Sequence, residues 1–110
     1  MENSMKEVEL SKNTFNAFIK DSQIPVLIDF YASWCGPCIR MRPVLAKLAE
    51  EYIDEVRVGV VDIEAETELA TLYEVKSIPT QIVFKDGKVF AKSVGAKNKK
   101  QLLQLINEGK

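Results

Sequence analysis

Two cysteines stand three residues apart in Trp34-Cys35-Gly36-Pro37-Cys38. Pro37 suits the first turn of a helix, where its missing N–H costs nothing. Cys35 then falls just before a helix and Cys38 one turn inside it. That spacing places both sulfurs on one side, within disulfide reach. A helix N-terminus offers unpaired N–H groups and the positive end of the helix dipole, and both stabilise a thiolate on Cys35. Cys38, one turn deeper, should be less exposed and stay a thiol until needed. The asymmetry suggests roles. Cys35 attacks a substrate disulfide, and Cys38 resolves the mixed disulfide, which leaves Cys35–Cys38 oxidised. The competing readings of the pair are a passive disulfide and half of a metal site. Cys-x-x-Cys after a strand in an α/β pattern favours redox chemistry.

Asp29 is the second residue with chemical content. It interrupts the apolar run Val26-Leu27-Ile28-Asp29-Phe30-Tyr31, six residues before Cys35. A buried charge costs several kcal/mol unless it is paired or neutralised. One reading is a buried carboxyl with a raised pKa that accepts the Cys38 proton, directly or through water. The other is a carboxylate at a strand edge facing water.

These residues need a frame to hold them. A short strand at 8–10 is followed by a helix capped by Ser11 or Asn13, with Phe15, Phe18 and Ile19 at helical spacing. Pro25 opens a strand at 26–31 that reads as buried on both faces. The helix carrying the cysteines should run over 37–52, with Val44, Leu45, Leu48 and Tyr52 inward. Pro43 inside it removes the bond to the Ile39 carbonyl and predicts a kink. A Val-rich strand at 56–63 and a short helix at 66–73, with Leu69 and Leu72 facing in, come next. Strands at 80–84 and 88–94 flank Lys85-Asp86-Gly87, a hairpin signal. The last helix starts at Asn98, with Gln101 three residues on in the manner of a capping box, and Leu102, Leu103 and Ile106 inward. Gly109 marks its end. The order βαβαβαββα predicts an α/β fold, a mixed five-stranded sheet with helices on both faces, in one domain spanning 1–110.

Composition narrows the function. The chain has 110 residues, 15 Lys+Arg, 16 Asp+Glu and no histidine. The balanced charge argues against a nucleic-acid binder. Without histidine there is no Cys-His or Ser-His pair, no imidazole base and no His metal site. Two thiolates alone cannot close a structural zinc site. No run approaches the ~20 apolar residues of a membrane span. The first seven residues show no apolar signal core, so a cytoplasmic protein is expected. Lys97, Lys99 and Lys100 read as a solvated helix start, with steering of an acidic partner as the alternative.

Trp34-Cys35-Gly36-Pro37-Cys38, with Asp29 upstream and Ile78-Pro79-Thr80 downstream, resembles the thioredoxin family from about Val8 to Ile106. The resemblance implies the thioredoxin fold and a protein-disulfide reductase that uses no cofactor and no metal of its own. It implies a cis bond before Pro79, with the Ile78 backbone pairing to the substrate chain. It implies an apolar substrate rim of Trp34, Gly36, Pro37, Ile63, Ile78, Val94, Gly95 and Ala96. The implied partners are an NADPH-dependent flavin enzyme, thioredoxin reductase, and clients such as ribonucleotide reductase, peroxiredoxin and methionine sulfoxide reductase. A monomer is expected. Four positions depart from the commonest pattern: Val60 for a lysine, Tyr31 for a tryptophan, Ser77 for a glycine and Ile39 for a lysine. Without a lysine at position 60, Asp29 should titrate higher still. The same fold can also serve an oxidant or isomerase, a binding module that moves no electrons, or an intersubunit metal site.

Overall fold

The computed structural model describes residues 7–108, so the Gly109 helix stop and the first six residues lie outside the described residues. The elements are β1 (Val8–Glu9), α1 (Lys12–Lys20), β2 (Val26–Tyr31), α2 (Gly36–Glu51), β3 (Arg57–Asp62), α3 (Thr67–Leu72), β4 (Thr80–Lys85), β5 (Lys88–Val94) and α4 (Lys99–Glu108). They form one five-stranded sheet in the order β1-β3-β2-β4-β5. β2 runs parallel to β3 and antiparallel to β4. The parallel pairs are joined through helices, and β4 and β5 by a tight turn, as connection length requires. Among the described residues no helix is long and apolar enough to cross a membrane.

Side chains alternate across each strand, which divides the core in two. Leu27, Val58, Val60 and Val83 meet Met41, Leu45 and Leu48 of α2 and Leu102, Leu105 and Ile106 of α4. On the other face Val26, Ile28, Phe30, Ile82 and Phe84 meet Phe15, Phe18 and Ile19 of α1 and Leu69 of α3. β2 has a layer on each side, so its apolar run has no solvent face. Asp29 shares the parity of Leu27 and therefore lies on the α2 face.

Local signals set the ends. Ser11 is the N-cap of α1, and its N–H donates to Thr14 Oγ1 at 2.9 Å. Asn98 and Gln101 cap α4 reciprocally: Asn98 Oδ1 accepts from the Gln101 N–H at 2.8 Å, and Gln101 Oε1 from the Asn98 N–H at 2.9 Å. Lys85 and Lys88 pair across a two-residue turn in which Asp86 (φ 55°) and Gly87 (φ 77°) are both left-handed. That geometry matches the twist of the strands it joins. α2 continues through Pro43.

Leu72 departs from expectation. It lies on the surface, 66 % exposed, whereas Leu69 is buried. α3 has only six residues and presents one turn to the sheet. The space beside Leu69 is taken by Tyr73, whose ring packs on Phe15, Phe30 and Phe84. In α4, Leu105 is buried and Leu103 only partly so.

Candidate active site

β2 ends against α2, and the crossover between them carries the cysteines. Cys35 is the N-cap of α2 with extended backbone (φ −86°, ψ 112°), and its Sγ accepts from the Cys38 N–H at 3.3 Å. The sulfur takes the place of a Ser or Asp oxygen at a helix start, where the backbone donors point outward. Cys35 is 6 % exposed and Cys38 1 %, and both thiols are free. The Cys38 thiol is pushed up to about 12, first by burial and then by its contact with the Cys35 sulfur, with the Asp29 charge adding a smaller push.

Asp29 is completely buried. Burial raises its carboxyl from 3.8 to about 7, against two opposing influences, a hydrogen bond from Gln81 and the charge of Arg42. The place of a lysine at position 60 is thus partly filled from other elements. Arg42, on α2, lies 5.0 Å from the centre of the Tyr31 ring, and the Tyr31 hydroxyl donates to both oxygens of Glu9 at 2.8 and 2.9 Å. Burial and that carboxylate push the Tyr31 phenol up to about 12, so it stays protonated. The hydroxyl gained by having Tyr in place of Trp ties β2 to β1.

Four segments carry the residues of the expected rim. Trp34 is 66 % exposed and is anchored by its indole N–H, which donates to Glu64 Oε2 at 2.7 Å. Ile63 and Ile78 pack against the cysteine cluster with Ala32. The Ile78–Pro79 peptide is cis. Gly95 follows β5 with φ 101°, a conformation that suits glycine, and its N–H donates to the Pro79 carbonyl at 2.8 Å. That bond sets Val94, Gly95 and Ala96 beside the proline. Gly36 and Pro37 lie in the first turn of α2. Ile63 and Ile78 thus touch the thiol pair, Trp34 precedes it in the chain, and the 94–96 segment is tied to Pro79 through Gly95. Lys97 folds its ammonium onto the Val94 and Gly95 carbonyls at 2.7 and 3.3 Å, and Lys99 pairs with Glu51 at 2.9 Å. Two of the three lysines near Gly95 are thus engaged within the molecule.

Sequence reasoning missed Gln81, Ser93, Arg42 and Glu64. Gln81 is completely buried and donates to Asp29. Nothing in the sequence singles it out, because a polar residue near the start of a strand ordinarily meets water.

Comparison with known proteins agrees with this geometry. The Thioredoxin family model matches residues 6–108. The chain is 44 % identical over 99 residues to a thioredoxin of Chlamydia pneumoniae, covering 90 % of this chain and 94 % of that one. It is 39 % identical over 101 residues to a bifunctional thioredoxin reductase/thioredoxin of Mycobacterium leprae, covering 92 % of this chain and 22 % of that one. Against a chloroplastic thioredoxin Y of rice, the chain spans 61 % of the relative's length. The solved structure of a point-mutant thioredoxin from Halobacterium salinarum superposes with a TM-score of 0.87 at 30 % identity, covering 97 % of this chain and 93 % of that one. Two cysteines one helical turn apart at the start of α2, in a five-stranded mixed sheet, fit a disulfide oxidoreductase. The chain belongs to the thioredoxin family.

Proposed function

We propose that this protein reduces protein disulfides by dithiol–disulfide exchange, with Cys35 as nucleophile, Cys38 as resolving thiol and Asp29 as proton acceptor. One observation carries the reading: Cys35 Sγ sits at the mouth of a helix within hydrogen-bond reach of the Cys38 N–H, with Cys38 buried behind it. The Cys35 thiolate attacks one sulfur of a substrate disulfide, and the other sulfur leaves as a thiolate and takes a proton. The mixed disulfide removes the free Cys35 sulfur, whose contact and charge both hold the Cys38 proton in place. Cys38 is thereby eased toward ionisation at the stage that needs it. Asp29 takes the proton, the Cys38 sulfur attacks Cys35, and the second substrate thiolate departs.

The rim of Trp34, Gly36, Pro37, Ile63, Ile78, Pro79, Val94, Gly95 and Ala96 would receive the substrate backbone and apolar side chains. Such a surface suits many protein disulfides. Recharging falls to a thioredoxin reductase. The fused arrangement in the Mycobacterium leprae relative supports that pairing. Clients of the ribonucleotide reductase, peroxiredoxin and methionine sulfoxide reductase kind, a cytoplasmic location and a monomeric state complete the reading.

The test is trapping. Incubated with an oxidised protein substrate, Cys38→Ser should accumulate a covalent adduct on Cys35, visible by intact mass and released by dithiothreitol. Cys35→Ser should form none. An adduct on Cys38 in the Cys35→Ser protein, formed as fast, would reverse the assignment.

A further inference from the structure

Register places four residues in a row across the sheet on the α2 face. Val60 on β3 stands beside Asp29 on β2, which stands beside Gln81 on β4, which stands beside Ser93 on β5. Asp29 and Gln81 are both fully buried, and a buried amide is retained only where its hydrogen bonds are met. Gln81 meets them with one orientation. Its Oε1 accepts from the Ser93 hydroxyl at 2.6 Å. Its Nε2 faces Asp29 Oδ1 at 3.3 Å, the Gly95 carbonyl at 3.1 Å and Met41 Sδ at 3.6 Å. A flipped amide would set an oxygen against two oxygens, so the amide is locked. Asp29 is left asymmetric: Oδ1 is held by Gln81, while Oδ2 finds no donor among the described residues.

We propose that Gln81 is the positioning residue of the proton step, holding Asp29 by Oδ1 so that Oδ2 is the oxygen that takes the Cys38 proton. The proposal rests on the reading of Asp29 as proton acceptor. In the step, the Cys38 S–H bond breaks and an O–H bond forms on Oδ2. The electron pair left on sulfur forms the Cys35–Cys38 bond, and the bond from Cys35 to the substrate breaks as the substrate thiolate leaves with its pair. A proton on Oδ2 leaves the Gln81 bond to Oδ1 intact, so the carboxyl does not have to turn during the transfer. The charged and titratable groups around Asp29 are Cys38 and Arg42 from α2, with Lys97 reaching the Gly95 carbonyl beyond Gln81; Val60 on the β3 side carries no charge.

Gln81→Met keeps the length of the side chain and removes the donor. Two readouts are needed: the titration of the Asp29 carboxyl by carbon NMR in the reduced protein, and the pH profile of mixed-disulfide resolution in single turnover. Both should move upward by about one pH unit, the loss of one hydrogen bond to a charged acceptor. In an Asp29→Asn background, Gln81→Met should have no further effect on the resolution rate. A merely structural Gln81 would lower the melting temperature and leave both profiles in place, and that result overturns the proposal. So does an equal slowing by Gln81→Met with and without Asp29. Should Gln81→Met not fold, Ser93→Ala releases the amide oxygen and should shift both profiles the same way by a smaller amount; no shift overturns the proposal. If Asp29→Asn alone leaves resolution unchanged, the proton-acceptor reading falls and takes this one with it. If Asp29→Asn slows resolution and Gln81 is silent, only this one falls.

Discussion

Asp29→Asn isolates the free energy of ionising a carboxyl between the sheet and α2. Unperturbed, the carboxyl titrates at 3.8; in the fold, burial raises it to about 7. Between those values the folded state holds a proton that the unfolded chain has released. The stability linked to this group is fully present below about pH 4, falls as pH rises, and is lost above about pH 7. The difference of about 3 pH units, at 1.36 kcal/mol each, makes the fall about 4 kcal/mol. Asparagine has no proton to lose. Its extra N–H₂ lies where Oδ2 finds no donor, and a buried amide group without a partner costs about 1–3 kcal/mol at every pH. The informative quantity is therefore the change with pH in the stability difference between the two proteins. Urea unfolding of both reduced proteins at pH values from about 4 to about 8.5 measures it. The variant should gain about 4 kcal/mol relative to wild type across that range. A difference that stays constant from acid to alkaline pH would refute the buried, raised carboxyl and the role built on it.

Other consequences follow from the same structure. The rate of mixed-disulfide resolution should rise with pH through about 7 as Asp29 ionises, and Asp29→Asn should remove that inflection in a stopped-flow pH series. Gly59→Ala should destabilise by about 1–3 kcal/mol in denaturant titration, because a Cβ there would lie 2.6 Å from Leu10 Cδ1 and 3.0 Å from both Ile28 Cδ1 and Phe18 Cε2 in the α1-side core. Leu45→Ala, at a fully buried position on the inner face of α2, should cost about 2–5 kcal/mol by the same measurement. Glu64→Ala should free the sole tryptophan, Trp34, and lower its steady-state fluorescence anisotropy, while global stability changes by less than about 0.5 kcal/mol.

Much of the frame can be read along the chain because its signals are local. The Pro37 start of α2, the Asp86-Gly87 turn and the Asn98–Gln101 cap each act within four residues, and each lies where its residue types place it. The apolar run of β2 implies layers on both faces, and the structure supplies α1 with α3 on one and α2 with α4 on the other. Leu72 shows the limit of periodicity. Its spacing from Leu69 fits an inward stripe, but a helix of six residues reaches the sheet through one turn, and Tyr73 fills the remaining space. Asp29 stands out in sequence because charge in an apolar strand is costly. Gln81 does not, since an alternating polar residue in a strand usually meets water. Only the register of β4 against β2 brings it beside Asp29. Arg42 is hidden for the same reason, because its influence on Asp29 crosses from helix to sheet.

The central claim is that Cys35 and Cys38 form a reversible couple poised to reduce other proteins. Its most direct test is the reduction potential of that couple, equilibrated against glutathione and dithiothreitol buffers and quantified by thiol trapping and intact mass. The expected result is an intramolecular Cys35–Cys38 disulfide with a potential more negative than the glutathione couple. A potential above that couple, or a persistent glutathione adduct in place of the intramolecular bond, would contradict the claim and assign the same residues to an oxidant or a binding module.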